Sequence, residues 1–270
     1  GPGVARFFFK LLTKVASRWG APLNKIRARL NLPQLENVFI WSMLSPWGTQ
    51  AWFSRVFAEP KPDWPPDTQI TGFPFYDKLE PGQGITPELG RFLDAGPPPV
   101  VFTLGSSAVF DAGEFYAESL RAIAGTKYRA VLLVGRDPRN TPSGAVPPNV
   151  HVAEYAPYSE LLPRAAATVH QGGVGTTAQA LRSGRPMIVV PWSHDQPDNA
   201  QRVRKLGVAR VIPRKTYSAA RLRRELDALL AAETSSRRAR QVALEIHGEN
   251  GVAAACEGLE RIFLSHPQPA

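Results

Sequence analysis

Ala167-Thr168-Val169-His170-Gln171-Gly172-Gly173-Val174-Gly175-Thr176-Thr177-Ala178-Gln179-Ala180-Leu181 is the stretch whose reading decides the fold. A short strand-forming run closes on His170, a glycine-rich turn follows, and a helix-forming run opens at Thr176. In an open parallel sheet the crevice at the carboxyl ends of the strands is where ligands bind. Gly172, Gly173 and Gly175 permit positive φ and close backbone approach, while the helix start offers unpaired N–H groups and about half a positive charge. Thr176 and Thr177 add hydroxyls, and His170 places an imidazole at the strand end. These residue types together describe a seat for phosphate. A tight connection that binds nothing accounts for one or two of the glycines but leaves the histidine and both threonines unexplained.

Outward from this stretch, short apolar runs recur at Val100 to Leu104, Ala130 to Val134, Val150 to Ala153 and Met187 to Val190. Helical patterns separate them, around Ala112 to Ala124, Ser159 to Arg164, Thr176 to Ser183 and Pro197 to Leu206. Strands and helices taking turns predict an α/β domain, a parallel sheet covered on both faces, over residues 97–213. Residues 214–270 then read as helices only, Ser218 to Ala232 and one long run from Ser235 to Leu264. Residues 1–96 read differently. Phe8, Leu11, Leu12, Val15 and Trp19 recur at helical spacing opposite Lys10, Lys14 and Arg18, which predicts an amphipathic helix packed on a protein core or, as the sharper alternative, lying on a membrane surface. Between Pro60 and Pro99 ten prolines in forty residues exclude long helices and central strands, and this part reads as a connector.

Composition excludes several classes. With 43% apolar and 20% charged side chains in 270 residues the chain is globular. Its longest uninterrupted apolar run is five residues, against roughly 20 for a spanning helix, so it is not an integral helical membrane protein. A lone Cys256 and the lack of any Cys/His cluster at metal-ligand spacing predict a reducing, cytoplasmic setting. The formal charge of +9 is carried by one segment, because residues 202–240 hold twelve basic and three acidic side chains. Arg221, Arg223, Arg224, Arg237, Arg238 and Arg240 lie there on helical sequence without interleaved aromatics, which fits a solvated face or an acidic partner surface better than nucleic acid.

A rival is written in the same residues. Gly173-x-Gly175-x-x-Ala178 fits a dinucleotide fingerprint, with Asp195 about twenty residues further on where a ribose-binding carboxylate belongs. That fingerprint usually opens the first βαβ unit, whereas three predicted strands precede it here. A nicotinamide-dependent oxidoreductase is therefore the remote alternative. No Gly-Lys-Ser/Thr follows the glycines, so the turn is not a P-loop, and the chain has no Asp-x-Asp pair to hold a cation on a diphosphate.

His170-Gln-Gly-Gly-Val-Gly-Thr-Thr177 and Pro191-Trp-Ser-His-Asp-Gln-Pro-Asp-Asn199 together resemble the donor-binding signature of nucleotide-sugar glycosyltransferases, the bacterial sterol-glucosyltransferase and rhamnosyltransferase branches above all. The resemblance spans about Val100 to Phe263, with a looser echo in Asp63-Trp64-Pro65 and Gly72-Phe73-Pro74. It implies the carboxyl-terminal half of the two-domain GT-B fold, a Rossmann-like parallel sheet with helices on both faces. It implies that residues 1–96 belong with an acceptor domain missing from this truncated chain.

Carried over residue by residue, the resemblance gives the diphosphate to His170, Gly172, Gly173, Gly175, Thr176 and Thr177, joined by Ser106 and Ser107 from the opposite turn. It gives the sugar hydroxyls to Asp195 and Gln196, and the base to Tyr155, Ala156 and Tyr158, with Tyr155 in the stacking place. Plant members bind the ribose through a Glu where this chain has Ala178, with Gln179 as a neighbouring candidate. The implied reaction is metal-independent, inverting transfer from a UDP-glucose or dTDP-rhamnose type donor to a hydroxyl of a lipid or small-molecule acceptor. The implied general base lies on the other half, so no catalytic residue is assigned here. The partners expected are a nucleotide sugar and, through the missing domain, the acceptor, with peripheral membrane contact as an alternative and no nucleic acid, metal or other cofactor. A non-catalytic or split nucleotide-sugar-binding module is the competing reading.

Overall fold

The computed structural model describes residues 2–35, 45, 47–79, 82 and 84–265. The chain divides into two compact units. The smaller gathers residues 1–51, 60–70 and 254–270. It holds helices α1 (Pro2–Trp19) and α2 (Ala21–Arg29) and strands β1 (Thr49–Ala51) and β2 (Thr68–Ile70). The two strands pair in parallel, Gln50 opposite Gln69. The side-chain amides of these glutamines donate to the carbonyls of Ala255 and Ala254. The amphipathic helix is present, with Ala16 buried, yet the apolar side chains that define its predicted face are not. Phe8, Leu11, Leu12, Val15 and Trp19 are all exposed.

The larger unit, residues 52–59 and 71–253, contains the predicted α/β domain. In chain order it runs α3 (Pro87–Asp94), β3 (Val100–Thr103), α4 (Gly105–Ala108), α5 (Phe115–Ile123), β4 (Ala130–Leu133), β5 (Val150–Ala153) and α6 (Tyr158–Leu161). It continues with β6 (Ala167–His170), α7 (Val174–Arg182), β7 (Met187–Val189), α8 (Gln196–Lys205), β8 (Ala209–Val211), α9 (Ala219–Ala231) and α10 (Glu233–His247). The last helix, α11 (Gly251–Ser265), begins here and contributes most of its length to the smaller unit.

Six strands form one wholly parallel sheet in the order β5-β4-β3-β6-β7-β8. Such strands are buried on both faces, which is why they read as unbroken apolar runs rather than alternations. Val100, Phe102, Leu132, Val169 and Ile188 pack with Phe115, Ile123, Leu222 and Leu226 of α5 and α9. Their neighbours in sequence, Val101, Val131, Met187 and Val189, point to the opposite face and are as fully buried. The chain winds outward from β3 to β5, returns, and winds the other way from β6 to β8. The reversal places the ends of β3 and β6 side by side, Thr103 opposite His170.

Three elements differ from, or add to, the reading of the sequence. The strand β8 was not predicted, because Arg210 interrupts its three-residue apolar run. The long helix read over Ser235 to Leu264 is two helices, α10 and α11, parted at Gly248-Glu249-Asn250. The proline-rich connector also carries α3, where proline helps rather than hinders: Pro87 occupies the first turn and the Thr86 hydroxyl caps Leu89 N–H.

Much of the basic segment is structural. The Arg223 guanidinium donates to the carbonyls of Arg121, Ala122 and Ala124 at the end of α5, and Arg238 donates to Leu206 at the end of α8. Cations at helix carboxyl ends satisfy orphan carbonyls and the helix dipole together.

Candidate functional site

The site grows from the reversal between β3 and β6. Gly105 follows β3 with φ of +63°, and a Cβ there would lie 2.4 Å from Gln171 Nε2 and 3.1 Å from Thr176 Oγ1. Glycine is therefore what lets the two turns close on each other. Across the gap, Gly172 has φ of +91°, and a Cβ would lie 2.7 Å from Val189. Gly173 has ordinary extended φ and caps α7, while Gly175 sits in open space on its first turn. Only Gly172 of the three uses positive φ. The first intrahelical bond of α7 runs from Thr177 N–H to Gly173 O, which leaves the N–H groups of Val174, Gly175 and Thr176 without an intrahelical acceptor, the arrangement that makes a helix start a candidate anion seat.

Two cavities meet at this seat. The larger, about 710 Å³, is lined by Tyr155, Tyr158, Gln179, Asp77 and Arg136 among others. The second, about 550 Å³, is lined by Gln171, Trp192, His194, Asp195 and Gln196 among others. Ser106, Gly175 and Thr176 line both. A molecule with an aromatic end, an anionic middle and a hydroxyl-rich end fits this order of surfaces.

The structure brings most of the predicted residues together and separates a few. Tyr155 is 61% exposed at the end of β5, open for stacking. Tyr158 is turned inward, its hydroxyl 2.7 Å from Thr103 Oγ1, and burial raises its pKa. Ala156 is buried and lines neither cavity. Ser106 and Ser107 are exposed at the seat. Thr176 lies in it, whereas Thr177 is buried outside both cavities, its hydroxyl without a hydrogen bond.

His170 departs most from the expected phosphate ligand. Its ring is fully buried, Nδ1 accepts the Gly172 N–H at 3.1 Å, and Nε2 lies 3.3 Å from Met187 Sδ. Burial lowers its pKa to about 3, so the ring is neutral at physiological pH. It lines neither cavity and acts on the seat through the glycine turn that it braces.

In the second cavity Asp195 is exposed, while Gln196 is buried with Oε1 accepting from the N–H groups of Trp192 and Ser193 at 2.8 and 3.2 Å. Gln196 thus shapes the loop that presents Asp195. Asn199 ties that loop to the glycine turn, donating to Gly172 O at 2.9 Å and to Asp195 Oδ2 at 2.7 Å. Sequence reasoning missed Asn199, although it closes the quoted Pro191–Asn199 signature. It also missed Gln171, buried between the two turns with its amide reaching Thr176 Oγ1 and its carbonyl oxygen unpartnered. Among the described residues no group of three or more His, Cys, Asp or Glu could hold a metal ion. Nor is any helix among them long and apolar enough to cross a membrane.

Residues 128–259 match the family described as the erythromycin biosynthesis protein CIII-like C-terminal domain. The chain is 39% identical over 203 residues to O-mycaminosyltylonolide 6-deoxyallosyltransferase of Streptomyces fradiae, covering 74% of this chain and 46% of that one. The glycosyltransferase of kitacinnamycin superposes with a TM-score of 0.72 at 24% identity, over 97% of this chain and 68% of that one. The glycosyltransferase VinC, solved in complex with dTDP, superposes with a TM-score of 0.57 at 26% identity, over 72% and 52%. The chain thus spans about half the length of the curated relative it matches. By signature, fold and kinship, this chain is similar to the carboxyl-terminal half of the glycosyltransferases of the GT-B fold.

Proposed function

We propose that this chain binds the donor of a glycosyl transfer, a sugar carried on a nucleoside diphosphate. The observation that carries this reading is the meeting of two cavities at Ser106, Gly175 and Thr176, with an exposed tyrosine in one and Asp195 in the other. The base stacks on Tyr155, the diphosphate takes the free N–H groups of α7 and the hydroxyls of Ser106, Ser107 and Thr176, and Asp195 accepts from the sugar hydroxyls. The solved VinC complex with dTDP supports a nucleoside diphosphate as the ligand.

The reaction is displacement at the anomeric carbon by an acceptor hydroxyl. The bond to the diphosphate breaks, negative charge grows on the leaving phosphate, and the donors of the seat are already aimed at it. Such preorganised donors do without a cation, which is the basis for reading the transfer as metal-independent. The acceptor proton needs a base. We place that base, with the pocket for a small-molecule or lipid acceptor, on the half that the relatives have and these 270 residues do not show. Peripheral membrane contact is a second reading of α1, whose exposed Phe8, Leu11, Leu12 and Trp19 run beside Lys14 and Arg18. Co-sedimentation with anionic vesicles tests it.

Calorimetric titration with UDP, dTDP, their sugars and NADH tests the main reading. Binding of a nucleoside diphosphate, undiminished by EDTA, is expected. NADH binding with no affinity for either diphosphate overturns it in favour of an oxidoreductase, and strong Mg²⁺ dependence removes the metal-free account.

A further inference from the structure

One wall of the larger cavity has chemistry that neither base nor phosphate uses. Thr176, Gln179 and Arg182 recur every three residues along α7 and so lie on one face of the helix, running away from the phosphate seat. Arg182 ends the row, behind the wall that Thr176 and Gln179 give the larger cavity. Its guanidinium lies over the Phe75 ring at 4.0 Å and donates to both carboxylate oxygens of Asp77 at 2.7 and 2.8 Å. It also donates to Gln179 Oε1 at 3.0 Å. The pair is a rigid fork, held on a ring and oriented by a third side chain.

Asp77 lines the same cavity as Tyr155 and Thr176. A carboxylate offers about four acceptor positions; Arg182 takes two and the side chains of Gln179 and Ser159 also bond to Asp77, yet its half-exposed carboxylate still borders the cavity, where a stronger donor can displace the weaker of these partners. A nucleoside diphosphate stretched from Tyr155 to Thr176 has its ribose between them, and ribose hydroxyls are donors that need an acceptor. The other carboxylates of the cavity suit this less. Asp137 is engaged by the guanidinium and backbone N–H of Arg139, and Glu154 follows β5 immediately before the exposed Tyr155, with no partner side chain that fixes its carboxylate as Arg182 fixes Asp77 among the hydrogen bonds and ion pairs of the described residues.

We propose that Asp77, fixed by Arg182, accepts hydrogen bonds from the ribose hydroxyls of the bound nucleotide. The proline-rich segment before the sheet then supplies the ribose acceptor. This inference rests on the proposed donor-binding function, and its test separates the two.

The experiment titrates the full chain with UDP, dTDP and the 2′,3′-dideoxy form of each, using wild type, Asp77→Asn and Asp77→Ala, with melting temperatures as the folding control. Deleting the hydroxyls should weaken binding to wild type about 10- to 100-fold, the scale of hydrogen bonds to a charged group. Either substitution should weaken the parent nucleotide comparably and leave the dideoxy form within about threefold, so that the two losses do not add. A merely structural Asp77 would weaken both ligands alike. Additive losses, an undiminished parent affinity in a folded variant, or hydroxyl deletion without effect on wild type would each overturn the assignment of Asp77. Failure of wild type to bind either parent diphosphate would instead overturn the donor-binding function itself, and the Asp77 role with it.

Discussion

His170 shows how a residue serves a site without touching the ligand. Strand β6 ends on it, pairing continues to β7 beyond it, and the ring is left in the sheet interior holding the Gly172 N–H. Unfolded, the imidazole titrates near 6.5; folded, burial holds it to about 3. Between these values the unfolded chain binds a proton that the folded chain refuses. The stabilisation from a neutral His170 is complete above pH 6.5 and drains as pH falls, by up to about 1.4 kcal/mol per unit. Urea midpoints should therefore drop from pH 7 to pH 5, and drop less steeply in His170→Asn. Equal slopes would return the ring to an unremarkable titration. Gly105 carries a second prediction at this scale. With φ of +63° and its missing Cβ aimed at Gln171, Gly105→Ala should cost about 1–3 kcal/mol of stability. It should weaken diphosphate binding further by prising the two turns apart, as calorimetry on the folded variant would show.

At the scale of elements the sugar loop and the glycine turn behave as one piece. Asn199 bonds to both, and Gln196 holds the backbone between them. Asp195→Ala should lower affinity for a nucleotide sugar about tenfold while sparing the bare diphosphate, since it removes the acceptor for a sugar hydroxyl and one partner of Asn199, which keeps its bond to Gly172 O. Asn199→Ala should weaken both ligands, because Gly172 and Asp195 lose the same anchor. Equal losses in Asp195→Ala would mean that the loop is positioned for phosphate. Elements of this kind were legible where burial on both faces left an unbroken apolar run, as in Val100 to Leu104, Ala130 to Val134 and Met187 to Val190. They were illegible where a charged residue faces solvent mid-strand, as Arg210 does in β8, or where a short turn such as Gly248-Glu249-Asn250 parts two helices of similar pattern. The strand, glycine turn and helix of residues 167–182 could be read because local chemistry defines them. The direction of the His170 ring could not, since it depends on β7. Asp77 was invisible for another reason: its partner Arg182 lies 105 residues away.

At the scale of the whole molecule, the six-stranded sheet and the two cavities at its reversal are built within the larger unit. The seat, both cavities and Asp77 belong to the larger unit. Among the described residues that line the second cavity the histidine is His194, exposed, in left-handed backbone conformation, with Nδ1 2.7 Å from Ser193 Oγ. An exposed imidazole beside a bound donor has the reach of a base, but a donor without a positioned nucleophile gains little, because the advantage of proximity requires both reactants to be held. The 270 residues should accordingly bind a nucleotide sugar and show no acceptor-directed transfer, with turnover appearing once a segment equivalent to the relatives' other half is supplied. The measurement is transfer from UDP-glucose and dTDP-rhamnose to sterol, flavonoid and hydroxy-fatty-acid acceptors, with and without that segment. Robust turnover by the 270 residues alone, abolished in His194→Ala with donor affinity intact, would move the base onto this chain and make the sugar loop the place where the acceptor is deprotonated.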